Sequence, residues 1–181
     1  HKVTNDYKNF DFQLILNTSM NSPFTEEEFT NTQPQELSDK LYDIVMQHYT
    51  DKMLRNANSA FPIIKNVYEN EGDKYERIVV PFSDGVKSLK VVTDLKKSYE
   101  TEGAELISDF EKNITLAIID EEWKNHLRNM DDLKQSVQNA SYEQKDPLLI
   151  YKFEAYELFK KMLEKVNKEV LSFLFKGELP D

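Results

Sequence analysis

A chain of 181 residues, 39% hydrophobic and 31% charged, can build one medium domain or two small ones and must keep much of its surface wet. Its net charge of -10 argues against nucleic-acid binding, which needs basic patches to displace counterions from phosphates, and its lack of cysteine excludes disulfides, thiol catalysis and thiolate metal sites. With 4 Gly and 6 Pro there is little material for turns, which favours few long helices.

The start of the chain, His1 to Asp6, has no apolar run behind a basic end and does not read as a signal peptide. Phe10, Phe12, Leu14 and Leu16 then alternate with other residues, as a short strand or an extended arm laid on a core would. Thr25 before Glu26, Glu27 and Glu28 reads as an N-cap with acids in the first turn of a short helix. Pro34 opens a longer helix over 34–57, whose Leu37, Leu41, Ile44, Val45 and His48 recur at three- and four-residue steps. Pro62 is expected to interrupt it, with a second helical piece running to Tyr68 and a break at Asn70 to Asp73.

Branched residues flank an Asp84-Gly85 pair: Ile78, Val79, Val80 and Phe82 before it, Leu89, Val91 and Val92 after it. That pattern predicts a β-hairpin, with Pro81 placing its strand at an edge. From Ala104 to Asn139 one helix is expected, with a stripe of Ile107, Phe110, Ile114, Ile119, Trp123, Leu127, Met130, Leu133 and Val137. A polar connector from Ser141 leads to Asp146-Pro147, a helix start, and the next helix carries Leu149, Phe153, Tyr156, Phe159, Leu163, Val166, Val170 and Phe173 until Gly177 and Pro180 close it. A connector this short forces the two helices antiparallel, each about 45 Å long or more. Centring the turn near Glu143 sets Leu127 level with Phe159, and Trp123 level with Leu163. The fold class is therefore mainly α: a helical region with a short β-hairpin over 1–103, then a long antiparallel two-helix hairpin over 104–181.

Reactive constellations are missing. The sequence has no phosphate loop, no nucleophile elbow and no H-E-x-x-H, and its three histidines, His1, His48 and His126, are far apart, so neither catalytic nor metal-ligating residues are assigned. His48 reads as a packed or boundary histidine on an apolar stripe, and His126 as a structural one at the edge of the seam. The acidic runs Asp120-Glu121-Glu122 and Asp131-Asp132 read as a solvated helix face. Trp123 reads as packing within the hairpin or as a contact with a neighbouring domain. Tyr142 stands in the connector among small and polar residues, where it either contacts a partner or packs the loop.

The run Ile118-Ile119-Asp120-Glu121-Glu122-Trp123-Lys124-Asn125-His126-Leu127 is followed by Met130-Asp131, Tyr142-Glu143-Gln144-Lys145-Asp146-Pro147, Tyr151-Lys152 and Glu154. This ordered set resembles the SecA family of ATP-driven bacterial protein-export motors. Phe153 departs from the family pattern, which places Arg there, and Ser136-Val137 replaces Gly-Ile. The resemblance implies a helical wing domain over 1–103 and, over 104–181, the C-terminal part of the helical scaffold domain with its two-helix finger. It also implies that the motor domains, with their ATP and Mg, lie outside this chain, which then has no cofactor and no enzymatic activity of its own. Tyr142, Gln144 and Lys145 would form a finger tip facing the SecY channel and touching the unfolded preprotein. Trp123, His126, Leu127, Met130, Leu133, Phe153, Tyr156, Phe159 and Leu163 would form the hairpin seam and contacts to other SecA domains. The parent would be cytoplasmic and peripheral at the inner face of the bacterial membrane. A stand-alone helical-hairpin adaptor is the alternative from another class; a carboxylate enzyme around Asp120 or Asp131 is a third.

Overall fold

The computed structural model describes residues 5–140 and 146–180, the side chains of 138–140 excepted. The chain runs through α1 (Tyr7–Thr18), α2 (Glu26–Asn31), α3 (Pro34–Glu71), β1 (Arg77–Ser83), β2 (Ser88–Asp94), α4 (Leu95–Glu100), α5 (Ala104–Ala140) and α6 (Pro147–Lys176). It divides into two compact units, one of His1–Ile114 with Leu171–Asp181 and one of Thr115–Val170.

The first unit begins with a correction. The expected strand or arm is helix α1, capped by Asp6, whose carboxylate accepts from the Asn9 N–H at 3.0 Å. Tyr7 and Phe10, three residues apart, pack against the buried cluster of Phe24, Phe29 and Leu37. The Tyr7 hydroxyl donates to the Phe24 carbonyl at 2.6 Å. Helical spacing therefore buries one aromatic face and leaves Phe12, Ile15 and Leu16 on the other, where alternation alone had read a strand. Helix α2 forms as expected, through a reciprocal capping box between Thr25 and Glu28.

Pro62 does not end its helix. Helix α3 runs unbroken from Pro34 to Glu71. The ring removes one backbone hydrogen bond, but Ala57, Ala60 and Ile64 are buried on either side, and their packing holds the helix through the lost bond.

The β-hairpin forms as the sequence predicts, β1 pairing antiparallel with β2 so that Val80 faces Val91 and Ser83 faces Ser88. Gly85 takes φ +87°, and the Asp84 carboxylate accepts from the N–H groups of Val86 and Lys87 at 2.8 and 2.7 Å. Phe82 and Val91 are fully buried, and the Phe82 ring lies 4.4 Å from that of Phe110 on α5. Leu95, Leu106, Phe110, Ile114 and Phe173 complete this core. The short helix α4 had no periodic signal; Asp94 caps it, accepting from the Lys97 N–H at 2.9 Å. Gly103 then turns the chain into α5 with φ +92°, where an added Cβ would stand 3.0 Å from the Ala57 carbonyl oxygen.

Two polar residues of α3 hold the end of α6. Lys52, buried, donates to the Phe175 carbonyl, and Asn56 donates to the Gly177 carbonyl at 3.2 Å. These are the carbonyls a helix C-terminus leaves without intrahelical donors. Burial lowers the Lys52 pKa against the opposing pull of Glu178, 3.5 Å away. His48 stacks on Phe175 with centroids 6.4 Å apart, in keeping with a boundary histidine.

Candidate functional site

The second unit is the hairpin segment, Thr115–Val170. On α5 the residues facing inward recur at steps of four and, once, three: Ile118, Glu122 and His126 are buried, Met130 and Leu133 are half-buried, and Val137 is buried. On α6 the half-buried line is Ile150, Tyr151, Ala155, Leu158, Met162 and Val166. Asp146 starts α6 as expected, its carboxylate accepting from the Leu148 N–H at 2.9 Å.

Two contacts fix the pairing of the helices. Lys165 of α6 donates to the Glu122 carboxylate of α5 at 2.7 Å, and the His126 and Phe159 rings meet edge to face at 5.9 Å. Both agree to within a residue with the register that sets Leu127 level with Phe159.

The seam is not lined by the residues expected to line it. Trp123 and Leu127 are 45% and 48% exposed, and Phe153, Tyr156, Phe159 and Leu163 are exposed as well. His126, Met130 and Leu133 are the three of the expected seam set that turn inward. The physical reason lies one residue away. Ile118 and Ile119 are adjacent isoleucines, and continuing by fours from Ile118 gives Glu122 and His126, whereas continuing from Ile119 gives Trp123 and Leu127. Hydrophobicity favours the second line; the structure takes the first. Every displaced residue on α5, and Tyr156, Phe159 and Leu163 on α6, follows an inward residue by one position. In an antiparallel pair these flanks fall on the same side, so Trp123, Leu127, Tyr156, Phe159 and Leu163 share one apolar flank of the hairpin, while Phe153, which follows exposed Lys152, stands off it.

Glu122 is thereby a correction in its own right, because it was read as part of a solvated face. Its side chain is 6% exposed, and Asn125 donates to it at 3.4 Å in addition to Lys165. The hydrogen bond to Glu122 is the main cause raising the Lys165 pKa, and burial opposes it. His126 is also inside, with its Nδ1 atom buried and without a hydrogen-bond partner among the described residues. The Trp123 ring lies 5.5 Å from it. Asp120 and Asp131 remain on the surface, paired with Lys124 at 2.5 Å and Lys134 at 3.4 Å. No group of three or more His, Asp or Glu side chains capable of holding a metal occurs among the described residues. Tyr142, Gln144 and Lys145, the expected tip, lie outside the described residues. No helix among the described residues is long and apolar enough to cross a membrane.

Residues 4–178 match the family model described as SecA Wing and Scaffold domain. Curated relatives, each a protein translocase subunit SecA, include that of Flavobacterium psychrophilum, 62% identical over 180 residues and 99% of this chain, and that of Christiangramia forsetii, 63% identical over the same share. The Bacteroides fragilis subunit is 47% identical over 175 residues and 97% of the chain. This chain spans 16% of the length of each of these relatives. No solved structure matches.

Proposed function

The chain belongs to the SecA wing and scaffold family, and on that premise we propose that it is the part of an ATP-driven export motor that couples motor motion to the SecY channel and touches the preprotein. Residues 1–103 would serve as the helical wing and 104–181 as the scaffold portion with the two-helix finger. The observation that carries this reading is the hairpin with a one-sided apolar flank. Its inner line is closed by Glu122 and Lys165, while Trp123, Leu127, Tyr156 and Leu163 stay uncovered on one flank. A flank of this kind is a docking face for another body, here the other domains of the subunit.

The connector between α5 and α6 would present Tyr142, Gln144 and Lys145 to the channel mouth and the unfolded chain. An aromatic side chain suits that contact because it offers apolar area without demanding a sequence. ATP and Mg would be bound by the motor domains of the full-length subunit, which would work in the cytoplasm at the inner face of the membrane. This chain would itself carry out no catalysis.

The test is Tyr142→Asp in the full-length subunit, followed by ATP-driven translocation into vesicles bearing the channel. Translocation should fall severalfold while ATP hydrolysis without preprotein is unchanged. Unaltered translocation would sink the tip reading. A loss of helicity in the variant would mean that Tyr142 packs the loop instead.

A further inference from the structure

We propose that the cavity between the ends of α1 and α6, helix α3 and the β-hairpin turn is a binding site for the phosphate group of a small soluble molecule. The cavity measures 450 Å³, and His48, Lys52, Arg55 and Lys176 line it together with Asp84 and Glu178. Three permanent cations thus face two acids, in a chain whose net charge is -10. Positions 48, 52 and 55 are spaced by four and three, so one face of α3 carries the imidazole, the ammonium and the guanidinium one above the other.

Neither acid is placed to neutralise these cations fully. The Asp84 carboxylate is held by its own turn, accepting from the N–H groups of Val86 and Lys87. The Glu178 carboxylate, 70% exposed, stands 3.5 Å from the Lys52 ammonium. That is beyond the about 2.8 Å of a well-formed charged hydrogen bond. Its approach shows that an oxyanion reaches the ammonium from the cavity, although Lys52 itself is buried. Arg55 is exposed and has no ion-pair or hydrogen-bond partner among the described residues. It adds to burial in lowering the Lys52 pKa, against the pull of Glu178. Two cations that repel one another on one cavity wall, one buried and one unpaired, make an anion site that Glu178 fills only in part. A phosphate monoester carries about 1.5 to 2 negative charges, more than this carboxylate, and three free oxygens. Those oxygens suffice to meet the Arg55 fork and the Lys52 ammonium together. Beyond Glu178 the chain leaves the cavity, since Leu179 and Pro180 line a separate groove along β1.

The probe is inorganic phosphate, titrated into this chain against chloride at constant ionic strength while backbone amide NMR shifts are followed. Saturable shifts are expected at Ser19, Gly85 and Lys176, which line the cavity. Arg55→Gln, at an exposed site, should weaken binding by about tenfold, the scale of one charged hydrogen bond. Glu178→Gln removes the competing carboxylate and should tighten binding by a similar factor. Shifts that do not saturate, shifts indifferent to Arg55→Gln, or an affinity lowered by Glu178→Gln overturn the proposal. Phenylglyoxal labelling read by mass spectrometry carries the test to the full-length subunit, where Arg55 should react and phosphate should slow the reaction. An Arg55 that is unreactive without phosphate overturns the proposal, because another domain then covers the cavity. Sedimentation of this chain with phosphatidylglycerol vesicles, lost in Arg55→Gln, also overturns it, because the ligand is then a lipid surface.

Discussion

Replacing Lys165 with methionine should destabilise the hairpin, and replacing Glu122 with leucine should not. The Glu122 carboxylate is 6% exposed and the Lys165 side chain 53%, with their charged atoms 2.7 Å apart. Removing the lysine leaves a desolvated acid with only a 3.4 Å amide contact from Asn125. For a fully buried pair such a loss costs about 3–5 kcal/mol. Water reaches this one from the lysine side, so the cost shrinks to about 1–2 kcal/mol. Removing the acid instead puts leucine on the inward line of α5 between Ile118 and His126 and leaves Lys165 in water, with Glu169 at 3.7 Å. That exchange should be neutral or stabilising by about 1 kcal/mol. Thermal unfolding followed by far-ultraviolet circular dichroism would place Lys165→Met about 2–6 °C below the parent and Glu122→Leu level with it or above. Equal losses in the two variants would refute the reasoning, because they would mean that the pair acts as a whole and that the acid is not the buried partner.

Tyr49 donates to Glu111 at 2.8 Å, and burial first, then that bond, raises its pKa. A tyrosine held protonated in the fold supports it fully below its unfolded pKa of about 10 and loses that support as the pH climbs further; between about pH 9 and about pH 11 the parent should therefore lose more stability than Tyr49→Phe in urea titrations. Gly103→Ala should cost about 1–3 kcal/mol in the same titrations, since φ is +92° and the new Cβ meets the Ala57 carbonyl oxygen at 3.0 Å. Phe110→Ala, which empties the space between Phe82 and Phe173, should cost about 3–5 kcal/mol and broaden the unfolding transition.

Where local chemistry decided the structure, the sequence was legible. The Thr25 capping box, the Asp84-Gly85 turn and the Asp146-Pro147 helix start each act through bonds to their own neighbours. Where two readings share the same residues, tertiary contacts chose between them. Phe10 belongs to an alternating series and to a helical one, and packing on Phe24 and Phe29 settled it. Pro62 carries a genuine local penalty, and the burial of Ala60 and Ile64 overrode it. The pair Ile118-Ile119 opens two helical lines, and the more hydrophobic one was the wrong choice for the seam. Counting fours from Phe110 through Ile114 and Ile118 would have reached Glu122 and His126. The histidine is expected at the seam; the polarity of Glu122 hid the acid, because the lysine that makes it tolerable lies 43 residues further on. Glu122 therefore could not be told from its solvated neighbours Asp120 and Glu121 by sequence distance alone.

That inversion bears on what the hairpin is for. A pair of helices folding for its own sake would turn Trp123 and Leu127 inward, because each buries more apolar area than the residue beside it. Here the inner line carries an acid and a histidine, and the larger apolar groups stand outside. The side-chain choice loses stability within the pair and recovers it only when a second apolar surface covers the flank. A stand-alone adaptor with a transient partner would spend much of its time with that flank in water, which favours self-association. A module permanently joined to a larger subunit would keep the flank covered. Charged substitution tells the two apart: Leu127→Lys should raise the solubility of this chain, and in the full-length subunit it should lower the melting temperature, whereas an adaptor flank would leave that temperature unmoved. A full-length subunit indifferent to Leu127→Lys would remove the flank from the proposed coupling path.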